Sequence, residues 1–230
     1  TLRLISAEEG TVQEQEWDVG PSLQVLTLSA DGRWAAVAMG AAHRSPRSVL
    51  VFDLARDAQP LTSTSGSHAA RPNCLSFSSD GTRLATGSGR EAKPQQGEVA
   101  FFDTATGEKL GGIPFEEEQV TSVAISPDDS HIAALTAEGR LYLVKIVPEG
   151  LRLVDGVRAF ESEFEDLAWH PNGLSVYAVA LREGICRWDV KSGSLRRWRL
   201  DGYSTGVAIA PDGSRLILGY LGRIEVWGGL

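Results

Sequence analysis

Four histidines, His43, His68, His131 and His170, and two cysteines, Cys74 and Cys186, are the residues from which metal, thiol or imidazole chemistry could be built. A zinc or redox site needs such ligands repeated at short spacing. No pair has it: the histidines fall in separate loops or turns, and the cysteines stand 112 positions apart with no CxxC. Both cysteines read as small buried hydrophobes in a reducing compartment, with free thiols and no disulfide. His170, in WHPNG, takes a turn slot that its sister segments fill with Ser or Ala. No GxSxG, Walker-type loop or GxGxxG occurs, and Gly87-Ser88-Gly89 precedes no helical pattern. The expectation is a chain with no catalytic residue, no metal and no cofactor, and so not an enzyme.

The 230 residues carry 22 Lys+Arg and 30 Asp+Glu, a formal net charge of −8. An acidic balance argues against nucleic acid, whose affinity rests on neutralising phosphates. Hydrophobic residues at 42% and charged residues at 23% fit one globular domain, and no run approaches the roughly 20 apolar residues a membrane helix needs. The expectation is no membrane and a cytoplasmic location. Residue 1 is Thr, and no charged segment followed by an apolar core resembles a signal peptide.

What positions the polar residues is a repeat. An apolar-alternating run, a turn and a second run recur five times, as VLTLSADGRWAAVAMG (25–40), CLSFSSDGTRLATGSG (74–89), VAISPDDSHIAALTAEG (123–139), LAWHPNGLSVYAVALREG (167–184) and VAIAPDGSRLILGYLG (207–222). From Asp31 through Asp80, Asp128, Asn172 and Asp212 the spacings are 49, 48, 44 and 40, a period that marks repeated supersecondary units. In each turn Asp or Asn starts the bend and Gly supplies positive φ, so the flanking runs are hairpin partners. A third run follows each hairpin, at 49–54, 98–104, 140–146, 185–190 and 223–227, and four of these lead through a turn into a fourth. Four short β-runs per repeat, with no helical period, predict an all-β propeller of four-stranded antiparallel blades, about five of them visible.

The SPDG-type turns and the aromatic-Asp ends of the third strands, Phe52-Asp53, Phe102-Asp103 and Trp188-Asp189, resemble the WD-repeat β-propeller family over nearly the whole chain. The Gly-His dipeptide typical of the family is nearly absent, with Gly66-Ser67-His68 closest. The family's buried His–Ser/Thr–Asp–Trp network is therefore expected intact in no blade, and the chain resembles a divergent, bacterial member. The expected division is a half blade at 1–20, blades at about 21–66, 67–115, 116–160 and 161–201, and an incomplete last blade at 202–230. Its twenty-one strands fit no closed ring, since five, six and seven blades need about 20, 24 and 28. Either residues outside the chain, in another segment or another polypeptide, complete the ring, or five blades close with Thr11 to Trp17 paired to Arg223 to Trp227.

One face of such a propeller carries the uniformly short turns, and the other carries every long loop: 40–48, 64–73 and 87–97. Loops beyond about five residues exceed what a hairpin requires, which makes that face the candidate site. Its first two blades hold Arg44, Arg47, His68, Arg71, Arg90 and Lys93; the next inter-blade loops hold Glu116, Glu117 and Glu118, then Glu161, Glu163, Glu165 and Asp166. A basic sector beside an acidic one suits an oriented protein partner. Trp198, among Arg196, Arg197 and Arg199 on an outer strand, offers a second patch. The functional expectation is a non-catalytic protein-interaction or sensing module. The family resemblance implies fusion to, or association with, an effector such as a protease, kinase or signalling NTPase. The alternatives are a scaffold subunit whose propeller is built jointly with another chain and, lower, a propeller hydrolase with carboxylates meeting in the channel.

Overall fold

In the computed structural model, residues 2–8, 11–17, 23–39, 48–55, 62–63, 68, 70–89, 96–161 and 164–229 are described. They hold twenty-one β-strands and no helix. Strands β1 (Leu2–Glu8) and β2 (Thr11–Trp17) pair with each other as an antiparallel hairpin. The first blade is β3 (Leu23–Leu28), β4 (Trp34–Met39), β5 (Val49–Asp53) and β6 (Thr62–Ser63); the second is β7 (Pro72–Phe77), β8 (Arg83–Ser88), β9 (Gln96–Asp103) and β10 (Lys109–Glu116). The third is β11 (Val120–Ile125), β12 (His131–Thr136), β13 (Arg140–Val147) and β14 (Gly150–Arg158); the fourth is β15 (Phe164–Trp169), β16 (Ser175–Ala180), β17 (Gly184–Asp189) and β18 (Leu195–Trp198). The fifth has three strands, β19 (Ser204–Ile209), β20 (Arg215–Tyr220) and β21 (Arg223–Gly228). Every pairing is antiparallel between chain neighbours, as in an up-and-down propeller.

Local chemistry sets the hairpins. Ser29 Oγ donates to Asp31 Oδ1 (2.5 Å), which accepts the Arg33 N–H (3.0 Å); Ser78 with Asp80 and Ser126 with Asp128 repeat the arrangement. These bonds hold the three carboxyls below the usual carboxylate range. Gly32, Gly81, Gly173 and Gly213 sit at φ between 69° and 72°, as the turn chemistry demands, and in the third blade's DDS turn Asp129 takes that conformation instead, at φ 56°. The aromatic-Asp ends also serve turns: Asp103 accepts the N–H groups of Ala105 and Thr106, and Asp189 that of Ser192.

Blades pack face to face, so the second strands of blades one to four are buried on both sides. Every residue of β4 (WAAVAM) and of β16 (SVYAVA) is buried, which explains their continuous apolar wording. The core is accordingly divided into clusters between blades. Trp34, Val51, Leu75, Leu84 and Phe102 fill the first junction, Phe101, Val120, Ile132 and Val144 the second, Leu141, Leu143, Trp169 and Trp188 the third, and Tyr177, Ile185, Leu216 and Leu218 the fourth. Cys74 and Cys186 are free, buried and in separate clusters, and burial pushes both thiols up to about 12.

The two end blades differ. On the far side of the first, Ala35, Val37, Met39 and Phe52 are fully buried, whereas Leu26 and Leu28 of its innermost strand are exposed. On the fifth, Ile217, Ile224 and Val226 are exposed. Of the two expected alternatives, closure of five blades through β2 and β21 is not seen among the described residues. Thr11–Trp17 is paired to β1 across its full length, and β21 pairs only with β20 among the described residues.

Candidate functional site

The innermost strands β3, β7, β11, β15 and β19 pack on one another in order, around the axis of the propeller. All five are bulged at their second residue: the register slips at Gln24, Asn73, Thr121, Glu165 and Thr205. A bulge sets two residues against one and re-aims the strand. Here it repeats at the entry of each innermost strand, where the inter-blade loop arrives, and so on the long-loop face. The five bulged residues are all polar, giving that mouth a ring of amide, hydroxyl and carboxylate groups. Asn73 Nδ2 donates to Val120 O of the next blade (3.2 Å), and Thr121 Oγ1 to Leu135 O (3.2 Å). Gln24 Oε1 and Asn73 Oδ1 are buried acceptors with no hydrogen-bond partner among the described residues. The sequence signal for this ring is the polar residue at the second position of LQV, PNC, VTS, FED and STG. It is visible only once the strands are superposed.

In the third and fourth blades the residue after the bulge, Ser122 and Asp166, ties blades together. Asp166 Oδ1 accepts Leu167 N–H (2.8 Å) and Ser122 Oγ of the third blade (3.3 Å), while Oδ2 accepts Val207 N–H of the fifth (3.1 Å). Desolvation raises its pKa, and these hydrogen bonds oppose the rise. Asp166, expected in an acidic docking sector, is thus a half-buried latch across three blades.

Of the remaining candidates, His68 lies inside the protein at 4% exposed, its Nδ1 3.4 Å from Thr86 Oγ1 and its ring 5.0 Å from that of Phe102. It cannot meet a partner there, and burial lowers its pKa to about 4. The second blade therefore keeps the His–Thr half of the network, with Phe102 where an indole would stand. Arg71 is half-buried. Glu116 and Glu117 are exposed, Glu117 in the left-handed region at φ 63°. Glu118 is half-buried, accepting Tyr142 Oη–H (2.9 Å) and lying 3.5 Å from Arg140 Nε. Glu161 pairs with Arg158 (2.8 Å), and Glu165 is exposed. Arg44, Arg47, Arg90, Lys93 and Glu163 lie outside the described residues. Trp198, 39% exposed, stands opposite Ile185 at the end of β18. Among the described residues no three His, Cys, Asp or Glu side chains are grouped to hold a metal ion. No helix among them is long and apolar enough to cross a membrane.

Comparison with known proteins agrees with this geometry. Residues 59–93 match the family "WD domain, G-beta repeat", over the segment that carries His68 and Thr86. The chain is 29% identical over 119 residues to U3 small nucleolar RNA-associated protein 4 homolog of Mus musculus, covering 47% of this chain and 17% of that protein. It is 37% identical over 79 residues to WD repeat-containing protein 1 of Rattus norvegicus, covering 33% and 12%. The chain thus spans less than a fifth of the length of the curated relatives it matches. These relatives are mammalian and lend no support to a bacterial source. The crystal structure of the Myceliophteria thermophila Cps50 (Swd1) β-propeller domain superposes with a TM-score of 0.75 at 15% identity, covering 91% of this chain and 65% of that one. The chain is an all-β propeller of five blades, four of them four-stranded and the last three-stranded, and one of its repeats is of the WD type.

Proposed function

We propose that this propeller is a non-catalytic docking module of the WD-repeat kind whose long-loop face binds a protein partner. The observation that carries the reading is the row of exposed carboxylates on that face, Glu116 and Glu117 where β10 ends, and Glu161 and Glu165 just before and at the start of β15. They flank a mouth ringed by polar bulge residues and follow the loops that bear Arg44, Arg47, Arg90 and Lys93. Such a polarised surface orients a partner of complementary charge and speeds encounter more than it deepens affinity. One relative's name associates that protein with U3 small nucleolar RNA. A comparable setting for this chain would be reached through protein contacts, because a net charge of −8 repels phosphates.

The test is kinetic. With a partner recovered on the immobilised chain, identified and purified, reversal of Arg44, Arg47 and Arg90 to Glu should slow association. The deficit should shrink as salt shortens the Debye length, about 8 Å at 0.15 M. An unchanged association rate at both salt concentrations refutes the basic sector as the docking surface.

A scaffold reading is favoured by one further observation. Leu26 and Leu28 on the first blade and Ile217, Ile224 and Val226 on the fifth are exposed on the faces that look away from their neighbours. Apolar faces of this kind are covered by additional propeller strands, supplied by the same or another polypeptide.

A further inference from the structure

The third strands of blades one, two and four end on an aspartate, Asp53, Asp103 and Asp189. In blade one Asp53 pairs with Arg33 (3.0 Å), and in blade two Asp103 pairs with Arg83, the residue directly opposite it on β8. Blade three has Lys145 at that place on β13, and the residue opposite it on β12 is His131. On its other side Lys145 stands directly opposite Arg152 of β14. Three basic residues thus form one row across three strands, and residues directly opposite one another share a face of the sheet. Like charges so placed oppose sheet formation, and the acid that relieves them in the sister blades is replaced by a base. Lys145 and Arg152 are exposed, and neither makes an ion pair with a carboxylate among the described residues.

The carboxylates around the row have other partners. Asp128 accepts Ser126 Oγ–H (2.6 Å) and Ser130 Oγ–H (2.7 Å), Asp129 accepts Ser79 N–H of the second blade (2.7 Å), and Asp155 accepts Gly156 N–H (2.8 Å). Because Ser130 Oγ–H is given to Asp128, His131 Nδ1 donates to Ser130 Oγ (2.7 Å), which leaves Nε2 as the ring's remaining polar atom. Burial and then Lys145 lower the His131 pKa against the pull of Asp128, so the row's full charges are Lys145 and Arg152.

We propose that this row docks an acidic segment of a partner protein, with a carboxylate between Lys145 and Arg152 supplying the negative charge that the third-strand aspartate supplies in the sister blades, and a flanking apolar side chain on Leu153 and Val154. The inference rests on reading the chain as a docking module but uses the short-turn end of blade three, between the 126–130 turn and the β13–β14 turn, away from the long-loop face. Blade three lies between blades two and four, so the row is bounded on both sides by described residues. One carboxylate there meets two cations at once through charge-assisted hydrogen bonds. An exposed ion pair alone contributes little, and the second contact comes from Leu153 and Val154, which follow Arg152 and are 46% and 51% exposed. A polyanion such as nucleic acid is disfavoured by Asp128, Glu149 and Asp155 around the row and by the net charge of −8.

The probe is a synthetic pentapeptide with Glu at its centre and Leu on each side, titrated into the isotope-labelled 230-residue chain and read by amide NMR shifts, which register weak binding. Three controls accompany it: the same peptide with Gln for Glu, the same peptide with phosphoserine for Glu, and free acetate. The Glu peptide should shift amides gathered at His131, Lys145 and Arg152, and the Gln peptide should bind on the order of tenfold more weakly. Lys145→Asp, which restores the sister-blade acid, should abolish these shifts while the circular dichroism spectrum stays that of the parent, and Arg152→Gln should weaken them. Equal binding of the Glu and Gln peptides, shifts retained in both variants, or shifts gathered elsewhere overturn the assignment. Acetate reproducing the shifts at equal concentration reduces the row to an anion site, and tenfold tighter binding of the phosphoserine peptide overturns the carboxylate as the recognised group. Arg44, Arg47 and Arg90 are untouched in these variants, so failure here is separate from failure on the loop face.

Discussion

His68 shows how a single side chain links burial to pH. Its folded pKa, about 4, lies below the ordinary histidine value of 6.5 because the ring is taken out of water. The unfolded chain therefore binds a proton that the folded chain refuses between those two values. The stability this neutral ring contributes is fully present above pH 6.5 and is lost as the pH falls toward 4, by up to roughly 3 kcal/mol over the interval. Urea melts of the parent and of His68→Asn between pH 4 and pH 7 check it. The parent should lose stability relative to the variant on acidification, and parallel curves would show that the ring is not desolvated. His68 was expected at the surface from its place in a long loop; the loop was legible but the ring's inward turn was not. It depends on Thr86 of β8 and Phe102 of β9, to which no local pattern in the sequence points.

At the scale of the element, the hairpins carry their own instructions. Gly213 holds φ 72° in the turn between β19 and β20, and a Cβ placed there would lie 2.7 Å from the His170 ring of the preceding blade. Gly213→Val forces a β-branched residue into the left-handed region and should destabilise the protein by about 1 kcal/mol or more. A lower melting temperature by calorimetry is the expected result; an unchanged one contradicts the turn. Such turns, and the third strands that end in Phe-Asp or Trp-Asp, could be read directly because the chemistry lies within a few residues. The bulges at Gln24, Asn73, Thr121, Glu165 and Thr205 could not. A bulge is a mismatch between two strands, and its position is settled by how Asp166, Ser122 and Asn73 reach across to neighbouring blades. The facing of His131, Lys145 and Arg152 was hidden for the same reason: it follows from the register of β12, β13 and β14.

For the whole molecule, the chain behaves as a row of blades whose stability is shared between neighbours. Among the described residues blade three has an apolar junction on each side, whereas blade five has one, through Tyr177, Ile185, Leu216 and Leu218, and three strands. In the 230-residue chain local opening should therefore start at blade five. Hydrogen exchange monitored by mass spectrometry should show amides of β20 and β21 exchanging faster than those of β12 and β13, and equal protection would mean that the end blade is held as firmly as the middle one.

Burying both thiols between blades makes them internal reporters of opening. Cys74 and Cys186 are free and lie in separate clusters, and desolvation pushes each up to about 12, so both are held as thiols. A disulfide reagent needs a thiolate it can reach, so neither cysteine should react until its junction opens. Reaction of the folded chain at pH 8 should be slow and should accelerate to two thiols per chain in urea; two rapidly reacting thiols without urea would place them outside the junctions.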